Sequence, residues 1–292
     1  MIADRSLYGP HHSRMKIHLP VFLVCAVAFT TIQAQTVHSI SIGFGPNIID
    51  QPDLLKSDVL QLVPLDPESV ADYSMVPWDQ QQETFCFVMS IGLLPFSKED
   101  RRGPELRLGF IHAGWNERQA ILQHSIRTPY DTLVSTATGE QFLVDSVHGS
   151  TYFISTKAER IGLDASLAWS TTGRWSLYVG VGVMGGPSFN ARTYVDLEHY
   201  NGVGAAEGPY AYSPQGGVRK SSYETFKGGN GWWTAAYFPF GIDFTLSRKH
   251  PFWKQMHLSY ELRPQLLIQG SPELDNTVGT GLLANFGIRL TL

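Results

Sequence analysis

The last 38 residues, Gln255–Leu292, read QMHLSYELRPQLLIQGSPELDNTVGTGLLANFGIRLTL. Met256, Leu258, Tyr260, Leu262, Pro264, Leu266 and Ile268 alternate with His257, Ser259, Glu261, Arg263, Gln265, Leu267 and Gln269. After a short polar break the pattern returns. Leu282, Ala284, Phe286, Ile288, Leu290 and Leu292 alternate with Leu283, Asn285, Gly287, Arg289 and Thr291. A period of two places one set of side chains on each face of an extended strand. The runs exceed the usual soluble strand of about 5–6 residues and match the roughly 9–11 that a tilted strand needs to cross a bilayer. Apolar on one face and charged on the other, the hairpin predicts two staves of a membrane barrel.

Working back along the chain, the same alternation recurs six times. Ile40, Ile42 and Phe44 form one apolar face; Phe85, Phe87, Met89, Ile91 and Leu93 a second; Leu106, Leu108 and Phe110 a third. Ile161, Leu163, Ala165, Leu167 and Trp169 form the fourth, Trp175, Leu177, Val179, Val181 and Val183 the fifth, and Phe238, Phe240, Ile242, Phe244 and Leu246 the sixth. The connections run long, short, long, short, long, short, then moderate. The short ones are 95–103, 171–174 and 248–254; the long ones cover 47–81, 115–150 and 190–231. With eight antiparallel strands, all short turns share a side with both termini. Within the first long connection Asp53–Leu60 hints at a helix. Within the second, Thr132–Val144 suggests a hairpin, and a ten-stranded wall is the alternative if it joins the barrel.

Composition agrees with this reading. Of 292 residues 16% are charged, against about 25% in soluble domains, and 12% are aromatic, with 28 glycines. A mean hydropathy of −0.10 suits strands that are only half apolar. The formal net charge of −4 carries no nucleic-acid signal. Residues 15–35, MKIHLPVFLVCAVAFTTIQAQ, have a basic start, an apolar core and a small-residue exit, the pattern of an export signal cleaved after Ala34. Met15 is then a second candidate start. Removing the leader removes Cys25 and leaves Cys86 as a lone thiol, a small hydrophobe. The expected domains are a leader over 1–34 and a barrel over 35–292.

The exported precursor, the loop rhythm and the amphipathic final strand resemble the small outer-membrane β-barrel family, the OmpA/OmpX-like and PorT-like porin-superfamily proteins. The resemblance covers roughly 36–292. It implies an all-β, transmembrane, antiparallel up-and-down barrel with long extracellular loops and short periplasmic turns, in the cell outer membrane. It also implies outer-membrane lipid as solvent and the barrel-assembly machinery as partner during biogenesis. Leu292 stands where the family usually ends in an aromatic.

An eight-strand barrel is just wide enough for inward side chains to fill. The inward set includes Arg107, Arg160, Asp164, Asp243, Glu261, Arg263 and Arg289, candidates for ion pairs across the lumen, since an unpaired buried charge is costly. Trp169, Trp175 and Trp253 flank short turns, where an interfacial aromatic girdle belongs. Tyr210, Tyr212 and Tyr223 in the third long connection, with Trp232 and Trp233 at its end, are a candidate loop binding surface, because Tyr-rich loops adapt to partners.

Catalytic signals are weak. Gly180-Val181-Gly182-Val183-Met184-Gly185 matches a dinucleotide fingerprint but lacks the helix that would receive a pyrophosphate. The histidines of the mature chain, His38, His112, His124, His148, His199, His250 and His257, show no zinc spacing, and no G-x-S-x-G elbow is present. The expectation is a non-enzymatic monomer without cofactor or metal, with a structural role or a surface or secretion-system protein as partner. A barrel-embedded lipid-modifying enzyme or protease and a small porin-like channel are the alternatives.

Overall fold

The computed structural model describes residues 36–77, 82–94, 104–134, 141–205, 219–247 and 249–292, with 136 and 139 in addition. The export-signal expectation, with Met15 and Cys25, and the expected turn over 95–103 lie outside the described residues.

Among the described residues, eleven strands form one antiparallel sheet that closes on itself. They are β1 (Thr36–Asp50), β2 (Ser74–Val76), β3 (Gln82–Leu94), β4 (Glu105–Val134), β5 (Gln141–Ser170), β6 (Trp175–Ala205), β7 (Arg219–Lys227), β8 (Gly231–Tyr237), β9 (Phe240–Thr245), β10 (Met256–Ser271) and β11 (Leu274–Thr291). Two short helices, α1 (Lys56–Leu62) and α2 (Pro251–Gln255), interrupt them. The ring runs β1-β3-β4-β5-β6, then β8 and β9 as one broken stave, then β10-β11 and back to β1. Closure is made by β11 on β1, from Ser39↔Thr291 to Asp50↔Thr280. The wall therefore has eight staves. The ten-strand alternative does not hold, because Thr132–Val144 is the tip of the β4–β5 hairpin, paired to Val134↔Gln141 above the ring. The sixth stave breaks at Phe238-Pro239 since proline has no N–H for the ladder; the backbone is still used, with Pro239 O accepting from Gly180 N at 2.8 Å.

Much of what reads as loop over 115–150 and 190–231 is strand. β4, β5 and β6 are 30, 30 and 31 residues long, far beyond a bilayer's need, and β7 adds to β6 from Arg192↔Lys227 to Tyr200↔Arg219. Two irregularities separate the lower from the upper part: one at Ala113/Asn116 on β4, and one on β6 opposite Lys157/Glu159, where Asn190 takes φ 55°. An extra residue in one strand shifts its alternation by one. On β4 the inward buried positions are Glu105, Arg107, Ile111 and Ala113 below the bulge, then Asn116, Arg118, Ala120 and Leu122 above it, with Ile121 also buried where β2 pairs. Odd numbers become even.

The inside is layered. Charges fill the end near the short turns. Above them lies an apolar layer of Ile49, Cys86, Val88, Ile111, Ala113, Met184, Trp233, Ala235, Tyr237, Leu267 and Leu283. Above that, at the bulges, amides bridge the lumen: Gln51 to Gln82 at 2.6 Å and Gln269 to Gln51 at 2.5 Å. Past the ring the segment 51–77 turns inward, and α1 packs Leu54, Val59 and Val63 on Ala120, Leu122, Ile154 and Val195 of the extended β4–β6 wall. Asp58 receives the Leu55 N–H at 3.0 Å and caps the helix. β2 pairs with Ile121–Gln123 of β4 and ties the segment down.

Candidate functional site

The outward faces of all eight staves are apolar and exposed. Ile40, Ile42, Phe44, Phe85, Met89, Ile91, Phe110, Leu163, Trp169, Trp175, Leu177, Val179, Val181, Val183, Phe238, Phe240, Tyr260, Leu266, Leu282, Phe286 and Ile288 point away from the lumen, and Leu163 is 75% accessible. Such a continuous band would be untenable in water. Near the short turns Trp169, Trp175 and Trp253 are exposed, and Trp175 lies 4.4 Å from the Phe244 ring.

Inside, seven charges form one chain of alternating sign. Asp243 on β9 meets Arg289 on β11 at 2.9 Å. Arg289 holds Glu105 of β4 at 2.8 Å, and Glu105 accepts from Arg107 Nε at 3.1 Å. Arg107 reaches Glu261 on β10 at 3.0 Å, Glu261 pairs closely with Arg263, and Arg263 meets Asp164 on β5 at 2.9 Å. The Tyr237 hydroxyl donates to Asp164, and Ser39 Oγ donates to Glu105 at 2.5 Å. Arg107 also stacks on Tyr178 at 4.5 Å and Arg263 on Tyr237 at 4.9 Å. All seven side chains are buried. Each arginine holds two carboxylates, which offsets part of the desolvation that a buried ion costs. Two glycines make room. A Cβ on Gly92 would overlap the Glu105 carboxylate and the Ser39 hydroxyl, and one on Gly182 would overlap the Tyr237 ring.

Six of the seven charges singled out in the sequence, Arg107, Asp164, Asp243, Glu261, Arg263 and Arg289, come together in this chain. Glu105 is the member the sequence reading missed, although it lies two residues from Arg107 and so shares its face. Arg160 differs. It is buried, but its Nη2 donates to Asn116 Oδ1 at 2.7 Å, and among the described residues it has no carboxylate within 4 Å. The apolar layer separates it from the chain below. The tyrosine and tryptophan set divides too. Tyr210 and Tyr212 lie outside the described residues, while Tyr223 and Trp232 are exposed. Trp233 is not a loop residue at all: it is 4% accessible, points into the barrel from β8 and donates its Nε1–H to Ile161 O at 3.1 Å. The loop expectation fails because β8 begins at Gly231, which turns Trp233 onto the inward face.

The acids of the chain are each engaged by guanidinium, so none is poised as a free general base. Among the described residues no group of three or more His, Cys, Asp or Glu could hold a metal, and Cys86 is a buried free thiol. No helix of the described residues is long and apolar enough to cross a membrane. Outside the ring Arg118 lies under α1, where burial pushes its guanidinium below its usual range against the pull of Asp58 and Asp53.

An apolar outside around a charged, filled inside is the inverse of a water-soluble barrel. The ring of strands closes on itself without an edge, as lipid requires, and defines an eight-stranded antiparallel transmembrane β-barrel. No family model matches the chain, and no curated protein matches it in sequence. Solved structures to which the chain shows some similarity include Ail, the attachment invasion locus protein of Yersinia pestis, in complex with the heparin analogue sucrose octasulfate. It is 11% identical over 87% of this chain and 99% of that one, with a TM-score of 0.24. Neisserial surface protein A is 10% identical over 89% and 100%, with a TM-score of 0.27. Pseudomonas putida OprB is 6% identical over 92% and 96%, with a TM-score of 0.14. At these scores the likenesses carry no argument.

Proposed function

We propose that the protein is a non-conducting, non-enzymatic outer-membrane barrel that holds a rigid β-wing at the cell surface for a protein partner. The observation that carries this reading is the length of β4, β5 and β6 beyond the apolar band. At about 3.3 Å per residue, the part of β4 past Asn116 extends on the order of 60 Å from the bulge. A wall that served only to cross the membrane would stop there. Instead the wing has its own core under α1 and presents Ile126, Tyr130, Leu143, Val203 and Tyr223 to its surroundings. Lipid is the solvent of the band below, and the assembly machinery of the outer membrane inserts the chain as a monomer. Charge chain, apolar layer and α1 stack across one lumen, which supports a plugged barrel over a channel.

The test uses cells expressing the protein with a cysteine on the wing, Thr128→Cys, and a membrane-impermeant maleimide. Labelling of intact cells is expected, Cys86 being buried. Labelling only after permeabilisation overturns the surface placement.

A further inference from the structure

Arg160 breaks the rule that the other luminal arginines keep. Arg107, Arg263 and Arg289 each bind two carboxylates. Arg160, 2% accessible, has an amide partner in Asn116, the face of Trp233 at 5.6 Å, and an Nε with no partner among the described residues. A buried cation without a counter-charge costs several kcal/mol. Its surroundings supply a reason to keep it. It lines a cavity of about 70 Å³ at the height of the bulges, between β4–β6 on one side and the β10–β11 turn on the other.

The cavity is polarised. Arg118 lines it beside Arg160 and is also buried; its Nε and Nη2 donate to Pro52 O at 3.3 and 3.2 Å, and Asp58 stands 3.9 Å away. Ser271 Oγ, a second buried polar atom of the lining, has no partner among the described residues. At the solvent end stand two carboxylates, Glu273 and the exposed Asp275. Glu273 is held there by the Gly229 N–H at 2.6 Å. A plain cation entering would meet two guanidiniums, and a polyanion would meet the two carboxylates. A molecule carrying one charge of each sign meets neither.

We propose that this cavity binds a small zwitterion of the amino-acid class, its carboxylate on Arg160 and its ammonium towards Glu273 and Asp275. The volume suits it: 70 Å³ is room for about five water-sized atoms at roughly 15 Å³ each, the heavy-atom count of glycine. Gly228, Gly229 and Gly270 leave part of the wall without side chains, which favours a compact ligand. The bulge on β4 is what produces the site, since it turns Asn116 and Arg118 inward over Arg160 on the neighbouring strand.

The experiment is calorimetric titration of the folded, detergent-solubilised barrel with glycine, acetate and methylammonium. Glycine is expected to bind at least about tenfold more tightly than acetate, a gap of about 1.4 kcal/mol, with methylammonium weaker still. Arg160→Gln should weaken glycine and acetate together by about tenfold or more. Glu273→Gln with Asp275→Asn should bring glycine down to the acetate level without weakening acetate; the glutamine keeps an oxygen for the Gly229 N–H. Absence of glycine binding into the millimolar range, equal affinity for glycine and acetate, or normal glycine binding by Arg160→Gln overturns the proposal. Heat-modifiable gel migration establishes that each variant is folded. If Arg160→Gln does not fold, the double rim variant decides alone, and unaltered glycine affinity in it overturns the proposal.

Discussion

Glu261 bridges Arg107 and Arg263 and so joins the two halves of the charge chain. Replacing it with glutamine keeps the volume and strips both arginines of a carboxylate at once. Removing one member of a buried pair costs about 3–5 kcal/mol, and that loss is expected for Glu261→Gln in reversible urea unfolding of the detergent-refolded barrel. A change within error of wild type would mean that the chain contributes nothing to stability. Gly182 acts through space and not charge. Gly182→Ala drives a methyl into the Tyr237 ring, which is also stacked by Arg263 and bonded to Asp164. Overpacking of about 1–3 kcal/mol is expected, read by the same unfolding curves. Most of these residues are legible in sequence, since an acid or arginine on the inward parity of an amphipathic strand has few other roles. Which acid meets which arginine is not legible, because the partners lie as far apart as Glu105 and Arg289.

The strands show a sharper division. Below the bulges the period of two runs unbroken, and the apolar faces of β1, β3 and β9–β11 can be read directly. Above them, the extra residues at Gly114-Trp115 and at Asn190-Ala191 shift the alternation by one, and the upper face meets water on one side and the α1 plug on the other. The pattern therefore dissolves into apparent loop although the backbone remains paired. The two regions should respond differently to charge. Val181→Arg, outward in the middle of the band, is expected to cost about 2–4 kcal/mol in lipid vesicles. Leu143→Arg, equally outward but on the wing, should stay within about 0.5 kcal/mol, as surface substitutions do. Equal penalties would place the membrane boundary elsewhere.

At the scale of the molecule, three fillings lie in series along the lumen. Deletion of 53–75 with a short glycine linker removes α1 and its core, yet leaves the apolar layer and the charge chain. Planar bilayers are expected to stay silent with the wild-type protein and with this deletion; stepwise conductance in the deletion alone would show that the helix is the sole plug. Closure through β11 on β1 joins the first and last strands, so the folded barrel should migrate differently from the boiled one on gels.

By itself the sequence determined the barrel, the face that meets lipid and most of the charges inside. Those follow from a local rule, because strand geometry sends neighbouring side chains to opposite faces and a bilayer sorts them. The tertiary structure decided what depends on register between distant strands: the order of the ion pairs, the bulges that lengthen β4 and β6 into a wing, the inward turn of Trp233 and the isolation of Arg160. A single extra residue in a ladder reverses every face beyond it. No local pattern records where that residue falls until the partner strand is in place.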